Sequence, residues 1–462
     1  MAISASAAPL TRSRGPRIVG AMSILIHNAQ LLAGPDLRHV ERGWIGIAGT
    51  SIAAVGEGEP PAAAVDDEVI DAGGDLVMPG MINPHCHMAM TLFRGLGEDV
   101  DDRLFRYILP IERKLVTAEM VVAGSRLAAL EMIMGGVTSV ADMYYFEERV
   151  GEVIEASGLR GVVGQTLADF DAPDHQTFDE GFARVDALAE RFAGHPRVTA
   201  SIAPHAPYST GPEVLRRVVA WSEAHPGLPI QMHLAEMQTE LDWAAKNFGL
   251  RPMGVADLTG ILRPGLVAAH CRYLDASEIE LLAARGVGVA HNARSNGKAG
   301  RGFAPILALR KAGVPVGIAT DGAMSGNTLD LFSQFAPVSM FQKILGGSRK
   351  PMPAADVIRM ATIDGARVLG LDRRTGSLEV GKAADLIRVD LSAPRLQPIY
   401  DLYSALVFAA LPTDVRDVMV DGTWLMRDRQ VLTVEPAKVV RDALQVAEGF
   451  RAEIRAIDAG RG

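Results

Sequence analysis

Short apolar runs bounded by Gly, Pro and Asp dominate both ends of the chain, while longer amphipathic stretches alternate with apolar runs between them. Residues 23–75 carry strand patterns at Ile24–Ile26, Trp44–Ala48, Ser51–Val55 and Val69–Ile70. Residues 383–432 return to that pattern at Asp385–Val389, Val415–Val420 and Thr423–Leu425, with Asp421-Gly422 as a hairpin turn. A strand zone divided between the two ends predicts one composite β-sandwich, 23–75 plus 383–432, closed around a central domain. Residues 434–462 read as a C-terminal helix and tail. Residues 1–22 read as a disordered leader, since they are small, polar and Arg-containing and lack the apolar core of a secretory signal.

The central zone, 76–370, has apolar runs ending near His85, Asp142, Gln165, His205, His233, His270, His291 and Asp321, each followed by a helical pattern. The first is read as one strand through Val77-Met78-Pro79-Gly80-Met81-Ile82. A strand and its crossover helix take roughly 30 residues, and eight such units predict an α/β fold, a (β/α)8 TIM-type barrel. The active site of such a barrel lies at the C-terminal ends of its strands.

The chain has 462 residues, enough for a barrel of ~250 residues and a smaller unit. Its formal charge of −9 argues against a nucleic-acid partner, which favours a basic face. No stretch reads as a transmembrane helix: the longest uncharged apolar run, Val77 to Phe93, is broken by Pro79, Asn83, Pro84 and two histidines. Cys86 and Cys271 are too few for a disulfide scaffold and suit reduced thiols in a cytoplasmic enzyme.

Six of the eleven histidines fall at the expected strand ends: His85, His87, His205, His233, His270 and His291. Alternate residues of a strand share a face, so His85 and His87 can grip one metal ion. His233 supplies a third nitrogen. Glu236, just past that strand, is placed to take a proton from water and deliver it to a leaving group. His270 either ligates the metal or hydrogen-bonds the attacking water or substrate. Asp321 can ligate the metal and also accept the proton of water. Three histidines and a carboxylate with an open position suit hydrolysis by metal-bound hydroxide, because such an ion lowers the pKa of its water toward ~7. No Gly-x-Ser-x-Gly or phosphate-cradling Gly-x-x-x-x-Gly-Lys-[Ser/Thr] occurs.

The segments Met78-Pro79-Gly80-Met81-Ile82-Asn83-Pro84-His85-Cys86-His87, His233-Leu234-Ala235-Glu236, Ala269-His270-Cys271 and Thr320-Asp321-Gly322-Ala323 resemble the amidohydrolase superfamily, in its cytosine/guanine/adenosine-type deaminase branch. Gly376-Ser377-Leu378-Glu379-Val380-Gly381-Lys382 looks like that family's return to its β-sandwich. The resemblance implies one divalent metal ion, zinc or iron, on His85, His87, His233 and Asp321, with Glu236, His270 and Asp321 as catalytic groups. A bridging lysine on the fourth strand, which marks two-metal members, is missing from Ser201-Ile202-Ala203-Pro204-His205, so a mononuclear site is expected.

Leu92-Phe93-Arg94-Gly95, Leu109-Pro110-Ile111-Glu112, Asp142-Met143-Tyr144 and Pro204-His205-Ala206-Pro207-Tyr208 look like methylthioadenosine/S-adenosylhomocysteine deaminases. That resemblance implies hydrolytic deamination of a purine-like or nucleoside heterocycle, His205 facing the sugar and Ser325 near the leaving group or base. It also implies a homo-oligomer, a dimer or tetramer; the charge and the lack of a membrane span leave neither nucleic acid nor membrane as an expected partner. Two departures fall in the expected substrate-binding set: Arg103 stands where the group tends to have Trp, and Gln165 where it tends to have Arg. Arg103 either pairs with an acidic substrate group or is a solvated residue of loop 94–108. Arg294 and Lys298 add positive charge near the pocket mouth. The departures leave room for the same machinery to displace chloride, alkylamine or thiolate from triazines, ureas or thiocarbamates. A catalytically inactive binding protein is the remaining alternative.

Overall fold

A computed structural model describes residues 23–459; the expected leader at 1–22 lies outside the described residues. Eight parallel strands run in simple sequential order: Met81–Cys86, Val137–Tyr144, Arg160–Leu167, Val198–Pro204, Ile230–Leu234, Leu266–His270, Gly288–His291 and Val316–Ile318. They form the expected TIM-type barrel. Their side chains are almost all buried, which explains why the runs read as continuous apolar stretches rather than alternating ones. Between the first and eighth strands the seam is closed by side-chain and backbone hydrogen bonds. The Asn83 amide donates to Thr320 Oγ1 at 2.7 Å and its oxygen accepts from Thr320 N at 3.2 Å, while Asp321 N donates to the His85 carbonyl at 3.2 Å.

The outer helices follow ordinary sequence rules. The helix Phe178–Arg191, for example, starts from a capping box in which Thr177 and Glu180 satisfy each other's backbone amides. It buries Gly181, Val185 and Leu188, which share one face.

The termini build a separate nine-stranded sheet. Its N-terminal part holds Ile24–Ala33, Arg38–Ala48, Ser51–Glu57 and Glu68–Asp71, and its C-terminal part Leu386–Val389, Val415–Val420, Thr423–Arg427 and Gln430–Val431. Leu76–Pro79 joins the two parts, parallel to Ile24–Ala33 and antiparallel to Leu386–Val389. Ile26, Ile45 and Ile47 from one part share a small core with Leu386 and Met419 from the other, as a sandwich requires.

The run Val77–Ile82, expected as one strand, is therefore two. Residues 76–79 pair in the terminal sheet, and the barrel begins at Met81. The switch falls at Gly80, where a Cβ would come 2.2 Å from Thr138 Oγ1, so no larger residue fits without displacing the second barrel strand. The Asp421-Gly422 hairpin is as expected, with both residues at positive φ, 47° and 71°.

That hairpin is bolted to the barrel. Arg160, at the start of the third barrel strand, makes a two-pronged contact with Asp385 at 3.0 and 3.1 Å and reaches Asp421 at 2.7 Å. Asp421 N also donates to Asp385 at 2.8 Å. All three side chains are buried. Removing one partner of such a group strands a buried charge, which costs about 3–5 kcal/mol. Asp385→Ala is expected to lose about that much stability in denaturant unfolding; a loss under ~1 kcal/mol would mean that the bolt behaves like a surface pair.

Candidate active site

Five of the six rim histidines pack together. The His85 ring centroid lies 4.9 Å from those of His87 and His233 and 5.7 Å from that of His270, and His205 lies 4.9 Å from His233. Among the described residues His291 shares none of these ring contacts; it is buried beside them, and that burial lowers its pKa to about 3.

Strand ends fix the ring orientations. His87 Nδ1 is 2.6 Å from the Met143 carbonyl, and His233 Nδ1 is 2.9 Å from the His205 carbonyl. A carbonyl only accepts, so both Nδ1 atoms carry the proton and both Nε2 atoms present lone pairs. Those two Nε2 atoms face each other at 3.3 Å. Two lone pairs at that distance repel unless a cation lies between them. Asp321 Oδ1 is 3.4 Å from His87 Nε2, and His85 Nε2 is buried with no hydrogen-bond partner. Ring nitrogens of His85, His233 and His270 lie within 4.8 Å of one another, as do ligand atoms of His85, His87 and Asp321. The donor set therefore fits a divalent cation of the nitrogen/oxygen-loving kind.

Electrostatics agree with that donor set. Burial, then the neighbouring His87 and His270, lower the His233 pKa to about 4. Burial opposes charge on Asp321, but His270, His87, His85 and the Ser295 hydroxyl outweigh it and hold the carboxyl well below its usual range. Ser295 Oγ donates to Asp321 Oδ2 at 2.6 Å and Gly322 N to Oδ1 at 2.7 Å. Glu236 is likewise kept ionised: burial is outweighed by His270, His233 and Arg301. Its carboxylate lies 3.8 Å from His270 Nε2 on one side and takes Arg301 Nη1 at 2.7 Å on the other. His270 Nδ1 meets Asn296 Oδ1 at 3.1 Å.

The turns that carry these groups are bent sharply. Ala235, His270, Cys271 and Asp321 have φ of 52°, 71°, 45° and 62°, the left-handed region that non-glycine residues avoid. Each such residue stores on the order of 1–3 kcal/mol, and such strain clusters at functional sites.

The expected substrate-binding residues divide. His205 lies inside the histidine group, with Nδ1 2.8 Å from Ser209 Oγ and Phe170 edge-on to its ring at 5.1 Å. Arg103 is not in an irregular loop: it opens the helical stretch leading into Leu109–Leu115, and its Nη1 donates to the Met324 carbonyl at 3.0 Å, beside Ser325. Gln165, at the end of the third barrel strand, is engaged within the protein. Its amide donates to Asp174 Oδ2 at 3.0 Å and to Thr166 O at 3.3 Å, fixing the loop after its strand.

Three charged residues escaped the sequence reading. Arg301 stands between Gly300 and Gly302, both left-handed, and only that pair of glycines in a basic segment hinted at it. Glu240 follows Glu236 by one helical turn and carried no signal of its own. Glu112 lay inside a quoted motif without a role; the Tyr144 hydroxyl, next to His87, donates to it at 2.8 Å.

Residues 76–425 match the Amidohydrolase family. The chain belongs to the amidohydrolase family. It is 40% identical over 431 residues to a 5-methylthioadenosine/S-adenosylhomocysteine deaminase of Syntrophobacter fumaroxidans, covering 93% of this chain and 98% of that protein. It is 38% identical over 437 residues to a 5'-deoxyadenosine deaminase of Methanosarcina acetivorans, covering 94% and 99%. Among solved structures, the zinc-bound adenosine deaminase of Xanthomonas campestris superposes with a TM-score of 0.90 at 33% identity, over 94% of this chain and 99% of that one.

Burial of Glu112 raises its pKa from an ordinary 4.5 to about 7. The folded amidohydrolase then holds a proton that the unfolded chain releases between those values. Its stability should fall by about 3 kcal/mol as pH rises through that window. Glu112→Gln keeps an acceptor for Tyr144, so it should gain stability relative to wild type at pH 8 but not at pH 4. Equal unfolding differences at both pH values would show that Glu112 is not buried as the neutral acid.

Proposed function

We propose that this chain is a metal-dependent aminohydrolase that converts the amino-bearing ring carbon of an adenosine-type nucleoside to a carbonyl and releases ammonia. The observation that carries the reading is the pair of imidazole lone pairs facing each other at 3.3 Å beside two ionised carboxylates. The names of the relatives that span nearly the whole chain supply the substrate class.

His85, His87, His233 and Asp321 would hold one ion, zinc by analogy with the Xanthomonas protein. A divalent ion there supplies the Lewis acidity that makes hydroxide available near neutral pH. Glu236 accepts one proton from the attacking water and passes it to the ring nitrogen, where it stays; the second proton leaves the new hydroxyl as it becomes the carbonyl and goes to the amino group, which departs as ammonia. One C–O bond forms and one C–N bond breaks. His270, fixed by Asn296, and Asp321, fixed by Ser295 and Gly322, orient the water. His205 and Phe170 form the wall offered to the sugar, and Arg103 and Ser325 flank the reacting base. Gln165 acts on substrate through the loop that it anchors.

We further place the protein in the cytoplasm as a homo-oligomer. Two buried free thiols suit a reducing compartment. Met340, Ile344 and Leu345 on Phe332–Leu345, with Phe408 on the neighbouring Leu402–Phe408, expose an apolar face of the kind subunits cover. Among the described residues no helix is long and apolar enough to cross a membrane.

Ammonia release from metal-replete protein tests the reading across adenosine, 5'-deoxyadenosine, methylthioadenosine, S-adenosylhomocysteine, guanine, cytosine, pterins and aminotriazines. Release from an adenosine derivative is expected. Glu236→Ala should retain one metal per chain and lose ~10²–10⁴ in kcat. Silence across the panel with metal bound would transfer the reading to chloride, thiolate or alkylamine leaving groups.

A further inference from the structure

The turn that presents Glu236 has every backbone polar group engaged. Ala235 N and Glu236 N donate, each at 2.9 Å, to the two oxygens of one carboxylate, that of Glu240. The Ala235 carbonyl accepts from Arg272 N at 3.0 Å and Tyr273 N at 2.9 Å, and the Glu236 carbonyl accepts from Arg272 Nε at 3.0 Å. Glu240 is only 1% exposed. It is the third residue of the helix Gln238–Phe248, where an acid ordinarily bonds the N-cap amide. Here, besides Met237 at the N-cap, it reaches back to the two preceding residues. One of them, Ala235, has a φ of 52°.

A carboxylate chelating two successive amides holds them pointing the same way, which a left-handed residue permits and an extended one does not. Without the chelate, Ala235 is free to relax into the extended region, and the Glu236 side chain leaves its place between His270 and Arg301. Burial of an acid is unfavourable, and this one is pushed up to about 7 by it. A Gln of the same shape would avoid that burden if packing were all the position required, but its NH2 would confront an N–H.

We propose that Glu240 is a positioning residue for proton transfer, acting through Glu236 by fixing the Ala235–Glu236 turn, with Arg272 as its counterpart on the carbonyl side. The inference rests on the proposed role of Glu236. The test is a double-mutant cycle on the metal-replete protein, with methylthioadenosine as substrate and kcat, KM and bound metal as readouts. Glu240→Gln should lower kcat 10- to 100-fold, with KM within about threefold and metal unchanged, because displacement of a catalytic group by about 1 Å costs on the order of 10². Adding Glu240→Gln to Glu236→Gln should cost nothing further, since the group being positioned is already gone.

Multiplying losses in the double variant, or a Glu240→Gln protein as fast as wild type, overturns the proposal. A fully active Glu236→Gln single variant overturns the role of Glu236 itself, and this proposal with it, so the two failures are separable. Should Glu240→Gln fold poorly, Glu240→Asp keeps the charge but is too short to span both amides and should show the same loss in kcat alone. A crystal structure supplies a readout independent of substrate: the Ala235 turn should open in either variant, and an unchanged left-handed turn overturns the proposal.

Discussion

Lone pairs buried against one another are the constraint on which the site depends. The Met143 and His205 carbonyls leave His87 and His233 one tautomer each, and in that tautomer their Nε2 atoms oppose at 3.3 Å. Both carbonyls lie at barrel strand ends, so the protonation pattern is imposed by the backbone rather than chosen by the rings. Water could hydrogen-bond one such nitrogen, but it cannot satisfy His85, His87 and His233 together while Asp321 adds further lone pairs. A cation satisfies all of them at once. The same backbone that closes the barrel, through Asp321 N on the His85 carbonyl, holds the carboxylate next to the imidazoles.

Holding these groups requires backbone that is unfavourable on its own. Four left-handed non-glycine residues lie at the ends of the fifth, sixth and eighth strands. Their strain is offset by hydrogen bonds that no relaxed conformation would make: two amides on Glu240, Cys271 N on the Leu234 carbonyl, Gly322 N on Asp321. The frame must also be stiff enough to keep them. On the opposite face of the barrel, Arg160 ties the third strand to Asp385 and Asp421, so the terminal sheet braces the end remote from the chemistry.

Much of this was legible in the sequence because strand ends are where periodic apolar runs stop. The eight runs located the barrel, and His85, His87, His233, His270, Glu236 and Asp321 all fall at one rim because a parallel barrel places every strand's carboxyl end there. The strand through Gly80 was misread because an apolar run carries no mark of changing sheets; only the close approach of Thr138 shows why glycine is needed. The contact of Gln165 was not legible because its partner, Asp174, is a loop residue whose position depends on tertiary packing. Glu240 was invisible for a different reason: its spacing after Glu236 is that of any surface acid on a helix, and its burial follows from the turn folding back over it.

The loops around the centre obey the same electrostatics with a different source of parts. Burial alone opposes the charge on Glu236, and a neutral acid cannot accept a proton from water. His270 and His233 supply part of the compensation, but they belong to the strands and are committed to the centre. Arg301 supplies the remainder from a loop, carried by two left-handed glycines, and Arg103 reaches the Met324 carbonyl from another segment. Strands thus fix what the site does, and loops set the field in which it is done. Substitutions among loop residues can change which substrate enters without disturbing the imidazoles, and it is near loops and strand junctions, at Arg103 and Gln165, that the sequence departs from the pattern it resembles.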